Sequence, residues 1–236
     1  MTKNFILKAE KSSFKGVLRS MNIKKPIKNV MIFGDSYSTF EGYIPEGYAF
    51  YYKNDEKPGT DVRHVEETWW YGLFSEIDAN LVQNNSWSGS TIGNTGYDGD
   101  CSKTSSFICR LETLKENGFF EQNEIDTVFV FGGTNDSWSN APLGKEMLSD
   151  WKEEDLFSVL PAICYFIHRL RTDLPDARLV IIANCGIKEE IVNCLKSSAE
   201  RFDADFVELS DVDKQPDHPT VLGMEQIYRQ VRSKIN

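Results

Sequence analysis

The sequence is poor in the residues from which disulfide and metal scaffolds are built. Its 236 residues hold five cysteines and three histidines. Cys101, Cys109, Cys164, Cys185 and Cys194 form an odd set without a C-x-x-C pair, which fits neither a disulfide framework nor a zinc site. Free thiols in a reducing compartment are expected, with Cys164 and Cys185, which lie in apolar runs, in the core. Any apolar run approaching a membrane span is also missing. The longest within residues 1–28 is Phe5–Leu7, and no small-residue cleavage site follows it. The chain therefore reads as cytoplasmic, without membrane insertion. A net charge of −10 provides no overall basic footprint for nucleic acid or anionic lipid, so a small-molecule partner is expected.

The charge that is present is uneven. Residues 1–28 carry eight lysines and arginines against the single acid Glu10, and the remainder is strongly acidic. This basic extension could be an interaction arm or could lie back on its own acidic body. Beyond it, the length and a 40% hydrophobic content favour one domain, residues 29–236, with a full core.

Five apolar stretches read as buried strands: "NVMIF" (29–33), "NLVQN" (80–84), "DTVFVFG" (126–132), "RLVIIAN" (178–184) and "DFVEL" (205–209). Segments of helical periodicity alternate with them, over 66–77, 105–117, 153–173, 187–202 and 218–235. Pro161 is expected to kink or interrupt the third helix. Such alternation predicts an α/β fold, an open parallel sheet covered on both faces. Two long loops, roughly 34–65 and 85–104, are rich in Gly, Ser, Asn, Asp and Tyr; loops of that length are usually functional or disordered.

Ligands of open α/β sheets bind beyond the carboxyl ends of the strands. Four short motifs fall there: "GDSYS" (34–38), "NNSWSGST" (84–91), "GGTND" (132–136) and, at the start of the last helix, "DHPT" (217–220). Singly, each is an ordinary turn, loop or cap. Together they supply what acyl transfer needs. Ser36 offers a hydroxyl on a backbone held by the sheet, and His218 an imidazole to take its proton. Gly89 offers an unobstructed N–H, and the Asn135 amide two donors. Asp35 reads as an acceptor holding the turn, while His64 and His168 lie away from these motifs and are poor catalytic candidates.

In order and spacing, Ser36, Gly89, Asn135 and His218 resemble the four blocks of the GDSL or SGNH hydrolases. The resemblance runs from about residue 29 to the last helix. It implies a flavodoxin-like three-layer α/β/α sandwich on a five-stranded sheet, with Ser36 as nucleophile and His218 as general base. The oxyanion hole would be the Ser36 and Gly89 backbone N–H groups with the Asn135 side chain. It also implies action on carboxylic esters or thioesters without a metal or other cofactor. The G-x-S-x-G elbow of another hydrolase fold is absent. One departure is that the family's aspartate three residues before the histidine is here Gln215. Asp213 or a backbone carbonyl is then expected to orient the His218 Nδ1–H, with adjacent Asp217 pointing away.

Trp87 and Trp138 are the candidates for substrate contact, because loop aromatics can present flat apolar faces to a sugar ring or line an acyl pocket. Polar and aromatic loops suit a short, acetyl-like acyl group, perhaps on a carbohydrate. A thioesterase, a lysophospholipase or an acyltransferase would use the same residues. A non-catalytic binding module is the reading of a different class.

Overall fold

A computed structural model describes residues 27–56 and 58–235. The basic extension expected over 1–28 lies outside these residues but for Ile27 and Lys28. Seven strands and seven α-helices follow: β1 (Asn29–Gly34), α1 (Trp69–Glu76), β2 (Asn80–Ser86), β3 (Thr95–Gly96), β4 (Gly99–Asp100), α2 (Phe107–Glu116), α3 (Phe119–Gln122), β5 (Thr127–Phe131), α4 (Thr134–Trp138), α5 (Val159–Asp173), β6 (Arg178–Ala183), α6 (Glu189–Arg201), β7 (Asp205–Glu208) and α7 (Val221–Ile235). Among these residues no helix is long and apolar enough to cross a membrane.

All five expected strands form one parallel sheet in the order β2-β1-β5-β6-β7. Because side chains alternate along a strand, each central strand feeds two cores. Met31, Phe33, Val128, Val130, Leu179 and Ile181 join the core made with α2, α5 and α6. Val30, Ile32, Phe129, Phe131, Val180 and Ile182 face the other way, onto α1 and α7. Strands buried on both faces must be apolar throughout, which is why the stretches read as continuous runs. The result is the three-layer α/β/α sandwich with a five-stranded parallel sheet. After β1 the chain builds outward to β2 and then returns to place β5 on the other flank of β1. The sheet therefore reverses direction between β1 and β5, and a crevice opens at their carboxyl ends.

Three expectations are corrected. Pro161 is the third residue of α5, which begins at Val159; in the first turn a missing N–H costs no helical bond, so the helix is not interrupted. The last helix starts at Val221, which leaves His218 in the preceding loop. Cys185 is only half-buried, since β6 ends at Ala183, although Cys164 is in the core and all five cysteines are free thiols. The second long loop also contains a small hairpin, β3–β4.

Helix α7 packs directly against the loop that leads into it. A Cβ on Gly223 would overlap the Asp213 carbonyl oxygen and crowd Pro219. Gly223→Ala should therefore push the loop carrying His218 off the helix, costing roughly 1–3 kcal/mol by overpacking. The check is urea unfolding beside ester hydrolysis: both stability and activity should fall, and an unchanged urea midpoint would refute the contact.

Candidate active site

Asp35 follows β1 and caps a single 3₁₀ turn, Ser36–Ser38, its Oδ1 accepting the Tyr37 N–H at 3.1 Å. Ser36 is thereby held in place and is 4% exposed. Across the crevice, His218 Nε2 lies 2.9 Å from Ser36 Oγ. These two residues are 182 positions apart in the chain, and a set of main-chain contacts brings them together. The Tyr37 hydroxyl donates to the Asp217 carbonyl, Gln215 N–H to the His218 carbonyl at 2.8 Å, and the Tyr52 hydroxyl to the Pro219 carbonyl at 3.1 Å. Three successive carbonyls around the imidazole are thus occupied. Tyr51 stacks face to face on the ring, with centroids 3.5 Å apart and planes at 4°.

Asp213, expected to orient His218, has its carboxylate engaged by the Thr220 hydroxyl. Its main chain accepts the Thr220 N–H at 3.2 Å and donates to Gln226 Oε1 at 2.7 Å. It braces the two ends of the histidine loop. Asp217 meets Tyr37 through its backbone carbonyl only.

The loop after β2 is stitched to the end of β1 and to the loop that follows it. Trp87 N–H donates to the Gly34 carbonyl at 3.1 Å, and Ser88 N–H to the Ala49 carbonyl at 2.8 Å. Gly89 is exposed, has φ +82°, and leaves open space where a Cβ would stand. That left-handed backbone suits glycine, and among the described residues nothing accepts its N–H. Asn135 opens α4 after β5, 4% exposed, with Nδ2 donating to the Ser90 carbonyl at 2.9 Å. Trp138, at the end of α4, is 37% exposed, whereas Trp87 is half-buried and packs on Tyr48 at 4.4 Å. His64 caps a separate 3₁₀ turn, and His168 packs between Trp151 and Phe202.

Two buried groups went unnoticed in the sequence. Arg110 is 1% exposed and spends all its donors inward: Nε on the Ser105 carbonyl (3.0 Å), Nη1 on the Asn85 carbonyl and Oδ1, and Nη2 on the Gly34 carbonyl (3.2 Å) and Ser90 Oγ (3.1 Å). A charge on the stripe of Phe107, Leu111 and Leu114 was the available sign. Asp136 binds the Ile92 and Gly93 N–H groups at 2.9 and 3.0 Å. Burial lowers the Arg110 pKa to about 10, so the guanidinium stays charged at neutral pH.

Asp35 is fully buried, and among the described residues no partner meets its Oδ2 in full hydrogen-bond geometry. Desolvation raises its pKa from 3.8 to about 7, against the Tyr37 N–H bond, the Thr134 side chain and the Arg110 charge, which oppose the rise. The folded state thus holds a proton that the unfolded chain has lost above pH 3.8. The associated stability is complete below that pH and disappears as the pH rises through 7. Asp35→Asn, which keeps an acceptor for Tyr37, should match the wild type in urea midpoint at pH 4 and exceed it at pH 8. Parallel pH profiles for the two proteins would contradict this.

Three comparisons place this geometry among known proteins. The family model GDSL-like Lipase/Acylhydrolase matches residues 28–235. A protein from Bacteroides uniformis, titled a putative GDSL-like lipase, shares 40% identity at a TM-score of 0.80, over 88% of this chain and 94% of that one. A protein with the same title from Bacteroides ovatus shares 36% at 0.80, over 89% and 98%. A family two carbohydrate esterase from Clostridium thermocellum, at 16% identity and a TM-score of 0.60 over 90% of this chain and 64% of that one, shares the fold. No curated protein matches the sequence. A flavodoxin-like sheet, the four motifs at its carboxyl edge and a family match over nearly all the described residues lead to one assignment: the chain belongs to the GDSL-like lipase/acylhydrolase family, hydrolases of ester bonds.

Proposed function

We propose that the protein is a serine hydrolase of short-chain carboxylic esters, acting through an acyl-enzyme on Ser36. The observation that carries this reading is the 2.9 Å contact between Ser36 Oγ and His218 Nε2, within the distance a nucleophile and its general base require. Ser36 Oγ bonds to the ester carbonyl carbon while its proton passes to Nε2. The carbonyl electron pair moves onto oxygen, where the Ser36 and Gly89 N–H groups and the Asn135 amide stabilise it. Collapse breaks the bond to the alcohol, which leaves with the Nε2 proton. Water, giving a proton to Nε2, then attacks the acyl carbonyl carbon, and collapse breaks the bond to Ser36 Oγ, which takes the Nε2 proton back as the acid leaves. No step calls for a metal or other cofactor.

The rim supports a small acyl group on a polar alcohol. Trp138, exposed at the end of the short helix that carries Asn135, presents a flat, partly polar face of the kind that receives a sugar ring. In this reading Trp138 meets substrate. Trp87, packed on Tyr48, chiefly fixes the Gly89 loop. Asp213 supports His218 through the loop rather than through a carboxylate on the ring.

Hydrolysis of p-nitrophenyl acetate, butyrate and octanoate tests the proposal. Rates should fall with chain length, and Ser36→Ala should lower kcat by ~10⁴-fold or more. Fastest turnover of octanoate would move the substrate class to lipid, and an active Ser36→Ala would defeat the mechanism. A second comparison separates the loop aspartates. Asp213→Ala should reduce kcat roughly tenfold by loosening the histidine loop, while Asp217→Ala, which retains the carbonyl bound by Tyr37, should leave kcat near wild type. The reverse order would reassign the carboxylate.

A further inference from the structure

The Asn135 amide is engaged at two of its four hydrogen-bonding positions, one on each of its polar atoms. Its Nδ2 faces the Ser90 carbonyl at 2.9 Å, and a carbonyl can only accept, so the nitrogen cannot exchange places with the oxygen. Oδ1 consequently faces the Tyr97 hydroxyl, 2.9 Å away, which must donate to it. One N–H remains, and its direction is set by the other two bonds. Tyr97 stands at the tip of the β3–β4 hairpin, between Gly96 and Gly99. The base of that hairpin is attached to α4, where Asp136, next to Asn135, holds the Ile92 and Gly93 N–H groups, and to the turn before α5, where Thr95 Oγ1 donates to the Phe157 carbonyl at 2.8 Å.

We infer that Tyr97 is a positioning residue that locks the Asn135 amide with its free N–H toward the oxyanion. It acts through Asn135 and not by touching the reacting atoms. The inference rests on the serine-hydrolase reading above. A hydrogen bond to the amide oxygen also polarises the amide and strengthens the remaining N–H as a donor. Because the oxyanion forms only in the transition state, the contribution falls on kcat and leaves KM unchanged.

The test is a double-mutant cycle with p-nitrophenyl acetate, using Tyr97→Phe, Asn135→Ala and the pair. Tyr97→Phe keeps the ring and should lower kcat roughly tenfold at unchanged KM, the worth of one neutral hydrogen bond. Asn135→Ala should lower kcat by about 10²-fold or more, as loss of an oxyanion donor does. In the Asn135→Ala background, Tyr97→Phe should cost nothing further. A full tenfold loss there, or a rise in KM without a change in kcat, would mean that Tyr97 contacts substrate directly and would overturn the inference. So would wild-type kcat in Tyr97→Phe. Ser36→Ala run alongside separates the levels: if it remains active, the parent reading falls and this one with it. If it and Asn135→Ala are inactive while Tyr97→Phe keeps the wild-type kcat, only the lock is refuted.

Discussion

The buried guanidinium of Arg110 is the interaction on which the site depends. Placing a charge in a core is costly unless each donor is matched, and here all five find oxygens. Those oxygens belong to the end of β1, the end of β2 and the connection that leads from it to α2. Two of them, on Gly34 and Ser90, lie one residue before Asp35 and one residue beyond Gly89, so a single side chain ties the strand that carries Ser36 to the loop of the proposed oxyanion donors. The Phe107 ring under the guanidinium, 4.4 Å from its carbon, completes its solvation. A lysine would supply the charge without the planar fork, and could not span three segments at once.

The opposite wall is built by different means. Lys214 anchors the histidine loop to the Asn184 side chain and the Cys185 carbonyl, at 3.3 and 3.2 Å. Tyr37 and Tyr52 hold its carbonyls, Tyr51 covers the imidazole, and Gly223 lets α7 approach its first residues. Carboxylates also hold the loop: Asp213 joins Thr220, and Asp61 takes the Val221 N–H at 2.9 Å. With Gln215 where an aspartate is usual, the imidazole is positioned by surrounding structure and by a stacked phenol. Both walls thus reach the same geometry, a serine hydroxyl beside an imidazole and open N–H groups, from unlike materials.

Much of this was legible before folding was considered. The apolar runs of β1, β5 and β6 read as strands covered on both faces, and strand–helix alternation permits few topologies. The Ser36, Gly89, Asn135 and His218 motifs fell where such a sheet opens its crevice. The hairpin carrying Tyr97 was missed although Asp98-Gly99 is a turn pair, because two-residue strands have no periodicity to detect. Arg110 was missed because helix periodicity was read from its apolar members alone.

The sequence by itself determined the α/β class, the strands and their burial, and the order of the four motifs, because burial on two faces and local turn chemistry are properties of short segments. Only the tertiary structure decided that β5 returns beside β1, that Arg110 finds five acceptors in three segments, and that Asp213 serves Thr220. It alone set Tyr51 on His218 and Tyr97 on Asn135. Those are matches between residues tens to hundreds of positions apart, and no local pattern encodes which side chain will meet a given donor once the sheet has closed.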